Sequence, residues 1–221
     1  MGRALCYQHN YTGPTFASGS HTVQFKFVDS TGRSGSNYDL TYVGNDLTII
    51  KADQAISITI HAPTSALTGT IFTVAATSTS GLPVSYSASG ACTNVGGTFT
   101  LGSGPNTCTV RYDQTGNTNY NSAPQVTEAV DVLSPQQGTV VLSNNIQTLI
   151  TTGVISSGNG NALTSKLSSA IQSLNQGNTT SGVNKLGSFI NQVNAMIHSG
   201  KLTSAEGQAL IDAAQAIINS V

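Results

Sequence analysis

Two periods divide the chain. Up to about Val132 apolar residues alternate with polar ones, as on strands that bury one face; beyond it they recur at i, i+3, i+4 and i+7, the stripe of amphipathic helices. In the first regime Ile56, Ile58 and Ile60 alternate against Ser57 and Thr59, and Phe72, Val74 and Ala76 fall on one face. Val84, Tyr86 and Ala88 alternate with serines, and Cys108, Val110 and Tyr112 with Thr109 and Arg111. Gly90, Gly96, Gly97, Gly102, Gly104, Pro105 and Gly116 punctuate these runs and supply tight turns. The pattern predicts an antiparallel sandwich, with Ala62 to Gly69 as a turn. Val126, Val130 and Val132 close it, although Glu128 shares their parity and asks for a bulge or an edge position.

Leu133 to Gly138 is the break between the two periods, and residues 134–138 are assigned to a linker. Four stripes follow: Ile146, Leu149 and Ile150; Leu163, Leu167, Ala170, Ile171 and Leu174; Val183, Leu186, Ile190, Val193 and Ile197; Leu210, Ile211, Ala214, Ile217 and Ile218. The tail repeats itself. Gly153, Ser157, Gly160, Ala162 and Leu163 recur as Gly200, Ser204, Gly207, Ala209 and Leu210, a constant offset of 47. Each unit is a helix, a glycine stop, an apolar residue, a Ser or Thr cap and a second helix. Thr203 with Glu206 is a capping box, and Ser156 is the matching cap. One helical hairpin cannot bury its stripe, so two should pack as a four-helix domain over residues 139–221.

Upstream, Val23, Phe25 and Phe27 alternate, and Asp29-Ser30-Thr31-Gly32 is echoed by Asp113-Gln114-Thr115-Gly116, 84 positions later. That spacing fits one sandwich per period, so residues 1–51 read as the back half of an earlier module and residues 52–133 as a complete one. Leu47 to Ile50 would be the last strand of the first module, and Lys51-Ala52-Asp53 the joint. The chain is accordingly expected to be the C-terminal part of a longer protein or a truncated reading frame.

Cys92 lies just after one strand and Cys108 inside another, so their sulfurs can meet in or at the rim of the sheet pair. A disulfide there would contribute about 3 kcal/mol through chain entropy; two buried free thiols are the other reading. Cys6 has no evident partner. With 8 basic and 9 acidic residues in 221, the net charge is −1, which is no footprint for nucleic acid. No apolar run is long enough to span a bilayer, and Met1 to Asn10 lacks the pattern of a signal peptide.

The run SASGACTNVGGTFTLGSGPNTCTVRYDQTGNTNYNSAPQVTE resembles the bacterial immunoglobulin-like repeats strung in tandem through large secreted and surface proteins. Their shared pattern is G-x-C…C-x-V…G-x-x-x-Y-x-x-A-P, and Cys92, Cys108, Val110, Gly116, Tyr120, Ala123 and Pro124 occupy it. The segment FINQVNAMIHSGKLTSAEGQALIDAAQAII resembles the helical C-terminal domain of the FIMAH type, found behind catalytic or adhesive parts of secreted bacterial proteins. The fold class expected is therefore multidomain: all-β immunoglobulin-like sandwich modules followed by a small all-α four-helix domain. The resemblance implies scaffold or adhesion, in an extracellular or cell-surface location.

Chemistry is thinly represented. His9, His21, His61 and His198 are dispersed and stand in no ligand spacing. The sequence offers no nucleophile elbow, P-loop or dinucleotide fingerprint, and no cofactor is expected. The one metal candidate is calcium at Asp113, Asn117, Asn119 and Asn121, oxygen donors at close spacing; the same residues favour turns for backbone reasons alone. The sequons at Asn10 and Asn178 carry little weight in a bacterial protein. The expected function is a non-catalytic extracellular segment serving as spacer, adhesion or protein-interaction modules. Its partners would be other domains of a larger chain or an extracellular protein or glycan. The alternative is a carbohydrate-binding accessory to a secreted enzyme. Thiol labelling of the unreduced, denatured protein should find one reactive cysteine per chain, and three would show that Cys92 and Cys108 are unbonded.

Overall fold

The computed structural model describes residues 50–103 and 106–221. The expected half-module at 1–51, with Cys6, His9, His21, Val23, Phe25 and Phe27, lies outside the described residues except for Ile50 and Lys51. The remainder forms a β-rich unit followed directly by four helices.

Nine strands build the β unit: β1 (Ile56–Ile60), β2 (Ser65–Leu67), β3 (Ile71–Thr73), β4 (Ala75–Ser78), β5 (Ser85–Gly90), β6 (Cys92–Val95), β7 (Thr98–Leu101), β8 (Thr107–Asp113) and β9 (Val126–Leu133). They pair as β1-β4, as β3-β7-β6 and as β2-β9-β8-β5. β3 and β4 flank Val74, whose N–H donates to the Gly97 carbonyl at 2.9 Å. Gly97 is required there, because a Cβ would sit 2.7 Å from the Val74 oxygen. The run from Ile71 to Ser78 thus joins the first two sheets into one layer, β1-β4 at one end and β3-β7-β6 at the other. Alternation explains the core between this layer and the other sheet. Cys108, Val110 and Tyr112 of β8 are fully buried, with Val130 and Val132 of β9 and Phe99 and Leu101 of β7. Phe72 stacks on Phe99 at 5.5 Å, and Tyr86 meets Tyr112 edge-on at 5.7 Å, geometries that suit the ring quadrupoles.

Three expectations are corrected. The stretch Ala62 to Gly69, read as a turn, contains β2, which runs parallel to the end of β9 with Leu67 opposite Leu133; three residues are too few to display an alternation. Ile60 does not share the buried face of Ile56 and Ile58. The β1-β4 register shifts between Ile58 and Ile60, leaving Ile60 half exposed. Residues 134–138 are not a linker: β9 ends at Leu133, Ser134 is an N-cap, and α1 begins at Pro135. The Ser134 hydroxyl accepts from Gln137 N–H, and the Gln137 side chain accepts from Ser134 N–H. This is a capping box with proline at the first helical position.

The helices are α1 (Pro135–Thr151), α2 (Ser157–Asn175), α3 (Thr179–His198) and α4 (Ser204–Asn219). Each packs on the next and α4 returns to α1, so the four apolar stripes close on one core that includes Ile146, Leu163, Leu167, Leu186, Phe189, Val193 and Leu210. The duplication is visible in the backbone. After α1 and after α3 the chain passes through Gly153 (φ 76°) and Gly200 (φ 69°), buries Ile155 and Leu202, and restarts at the caps Ser156 and Thr203. It is visible in packing too. A Cβ on Gly160 would collide with Ile150, and one on Gly207 with Ile197, residues again 47 apart.

Gly187 in α3 faces open space. Gly187→Ala should therefore stabilise the protein by about 0.5–1 kcal/mol through helix propensity. Gly207→Ala should destabilise it by about 1–3 kcal/mol, because Ile197 must move. Urea unfolding of the two variants checks the opposite signs.

Candidate functional site

One polar cluster of the β unit is centred on the carboxylate of Glu128. β8 and β9 pair without a break from Thr107–Asp131 to Tyr112–Val126, with Glu128 opposite Val110, so no bulge turns its side chain outward. β2 covers only Asp131 to Leu133 of β9, and the Glu128 carboxylate uses the uncovered stretch. Its Oε2 accepts from the Tyr112 hydroxyl at 2.5 Å and from Ala62 N–H at 3.0 Å, and its Oε1 is 2.6 Å from His61 Nδ1. Burial alone would raise the pKa of this carboxyl. The bonds from Ala62, Tyr112 and His61, with the His61 charge when present, outweigh it and hold Glu128 below the usual carboxylate range. Tyr112 is pushed up, first by burial, then by its bond to Glu128 and that group's negative charge, with a further contribution from Tyr86. It therefore stays protonated and donates.

His61 is 70% exposed, whereas Glu128 is 19% exposed. The sequence placed His61 in no ligand spacing; its partner Glu128 is not in any motif and comes only from the fold. The sequence signal was the parity of Glu128 among valines, which marked a charge on an inner face without naming its donors. Chemically the cluster is a clamp. It ties the segment after β1 to β9 and so sets the start of β2.

Three of the four calcium candidates share the loop after β8, whose last residue is Asp113, and two of the four side chains accept hydrogen bonds there. Asp113 Oδ1 accepts from Gln125 at 2.7 Å, and Asn117 Oδ1 accepts from the N–H groups of Asn119 and Tyr120 at 2.8 and 2.9 Å. The Asn121 amide donates to Asp53 Oδ1 at 2.8 Å. Asn119 Oδ1 is buried without a partner. Among the described residues no three His, Cys, Asp or Glu side chains stand close enough to share a metal ion. The loop also grips the incoming chain: Ala52 N–H donates to the Asn119 carbonyl and Asn121 N–H to the Ala52 carbonyl, both at 2.8 Å. Beneath it the buried Gln54 side chain donates to Gln114 Oε1 and to the Asn121 carbonyl, each at 2.6 Å, and accepts from the Ser80 hydroxyl.

Cys92 and Cys108 are bonded, with Cα atoms 5.4 Å apart. The bond joins β6 of one layer to β8 of the other. In the helical unit a shallow groove of about 230 Å³ is lined by Ser165, Lys166, Ser169, Lys185 and Ser188. Lys185 Nζ already donates to the Ser169 carbonyl at 3.1 Å and to Ser173 Oγ at 2.7 Å. Sequence reasoning named none of these residues, since two lysines among serines on adjacent helices carry no motif. Asn178, noted as a sequon, is the N-cap of α3 and accepts from Ser181 N–H at 3.0 Å. Among the described residues no helix is long and apolar enough to cross a membrane.

Residues 140–219 match the family model of the FIMAH domain, from the first turns of α1 to the last residue of α4. No curated protein and no solved structure matches the chain.

The depressed Glu128 carboxyl makes a signed prediction. A lowered folded-state value adds stability that is fully present above the unfolded carboxyl range, about pH 4.3, and is lost as pH falls through the folded value. Glu128→Gln should cost about 1–3 kcal/mol at pH 7, where charged hydrogen bonds are lost. The gap to wild type should narrow steadily as pH falls below 4. Urea midpoints measured from pH 7 to pH 2 check it; a gap that stays constant with pH would contradict the assignment.

Proposed function

We propose that the chain is a non-catalytic extracellular segment of a bacterial secreted or surface protein. In this reading residues 52–133 are an immunoglobulin-like module acting as a spacer or protein-interaction unit, and the helices are its terminal domain. The observation that carries the proposal is the strand order. β1-β4 and β3-β7-β6 form one layer and β5-β8-β9 the other, with β2 added at the free side of β9. On this reading these are the A-B-E-D and C-F-G sheets of an immunoglobulin-like sandwich. The layer-bridging disulfide fits a protein outside the cytoplasm. The FIMAH match over the tail is a second support.

The alternative, a carbohydrate-binding accessory region, calls for aromatic rings presented on a sheet face. Among the described residues Phe99 and Tyr112 are buried in the core of the β unit with Phe72 and Tyr86 packed against it, Phe189 is buried in that of the helices, and Tyr120 is half-buried beyond the end of β8. The full chain should be tested on an array of polysaccharides and on immobilised extracellular proteins. The proposal expects no saturable polysaccharide binding in the micromolar range. Such binding, abolished by substitution of a surface residue of the β unit, would overturn the spacer reading in favour of the accessory one.

A further inference from the structure

We infer that the β unit and the helical unit move as one body, joined because Leu67 of β2 fills at α1 the glycine socket that a preceding helix fills at the other three helices. Each helix carries a buried glycine four residues after its N-cap: Gly138 after Ser134, Gly160 after Ser156, Gly182 after Asn178 and Gly207 after Thr203. At α2 the space of the missing side chain is taken by Ile150 of α1, at α3 by Leu174 of α2, and at α4 by Ile197 of α3. Among the described residues no helix precedes α1. There the occupant is Leu67, whose Cδ2 would be 2.6 Å from a Cβ on Gly138, with Ile217 of α4 at 3.3 Å.

Leu67 belongs by packing to the helical core and not to the core of its own unit. Its position is fixed from both sides. Leu67 stands opposite Leu133 in the parallel β2-β9 pair, and Thr68 N–H donates to the Leu133 carbonyl at 3.0 Å. Leu133 is followed at once by the Ser134 cap, so the strand that delivers Leu67 is registered to within one residue of the helix that receives it. On the other side Gln136, in the first turn of α1, donates to the Leu174 carbonyl at the end of α2 at 3.1 Å. The start of α1 is thereby tied to the bundle as well as to the sheet. Two connections, one covalent through Ser134 and one through the Leu67 socket, remove the hinge that a lone junction would allow.

The interaction surface is the α1 and α4 end of the helical unit around Gly138, and its partner is the edge of the β unit of the same chain. The inference holds whatever either unit binds, so it stands independently of the function proposed above. Residual dipolar couplings of the isotope-labelled 221-residue chain should fit one alignment tensor across residues 54–133 and 135–219. In Leu67→Ser they should require two. Two tensors in the unaltered chain, or a single one retained in Leu67→Ser, would overturn the inference. Should that variant fold poorly, a cycle with Leu67→Ala and Gly138→Ala reads the same contact. Gly138→Ala should lower the melting temperature in the original chain, and by less than half as much when Leu67 is already alanine. Additive effects would refute the socket.

Discussion

The structure of the helical unit depends on a steric vacancy in the first turn of each helix. A glycine four residues after the cap costs helix propensity, and the cost is accepted at Gly138, Gly160, Gly182 and Gly207 because an Ile or Leu from an earlier element needs that space. Three of these contacts close the bundle. The fourth reaches outside it to Leu67, so the rule that packs helix on helix also sets the position of the β unit. The clamp on Glu128 lies upstream in the same chain of contacts: Ala62 and His61, held by the carboxylate, lead directly into β2 and hence to Leu67.

Structural duplication gives this arrangement its economy. Gly153 and Gly200, Ile155 and Leu202, Ser156 and Thr203, Gly160 and Gly207, and Ile150 and Ile197 play equal parts in two hairpins. The caps differ in detail. Thr203 has Glu206 to return its hydrogen bond, and the carboxyl of that residue is held low by the Thr203 side chain and backbone. Ser156 has Asn159, which supplies only the backbone donor. The first and last helices, α1 and α4, carry the complete capping boxes.

Much of the architecture was legible because it is written in periodicity. The alternation of Cys108, Val110 and Tyr112 placed them on a buried face, the disulfide partner was the nearest suitable cysteine, and the offset of 47 aligned caps and glycine stops. What escaped was non-local or too short to have a period. β2 is three polar-to-apolar residues whose strand character comes from pairing with β9. Ser134 to Gln137 carried a capping-box signal, but its lack of apolar residues made it resemble a linker. Glu128 was recognised as anomalous, yet its donors Tyr112, Ala62 and His61 come from three separate stretches that only the fold assembles. The asparagine-rich turn shows the opposite limit: Asn117 Oδ1 accepts from the backbone and the Asn121 amide donates to Asp53, turn-building roles that composition alone does not distinguish from those of a ligand set.

The central claim is that Leu67 sits in the socket of α1. The most direct measurement is the nuclear Overhauser effect between the Leu67 methyl groups and the Gly138 α-protons in the full chain. A strong cross-peak, comparable with those from Ile150 to Gly160 and from Ile197 to Gly207, is the predicted result. Gly138 α-protons that show contact with Ile217 and none with Leu67, while the other two cross-peaks are present, would contradict it.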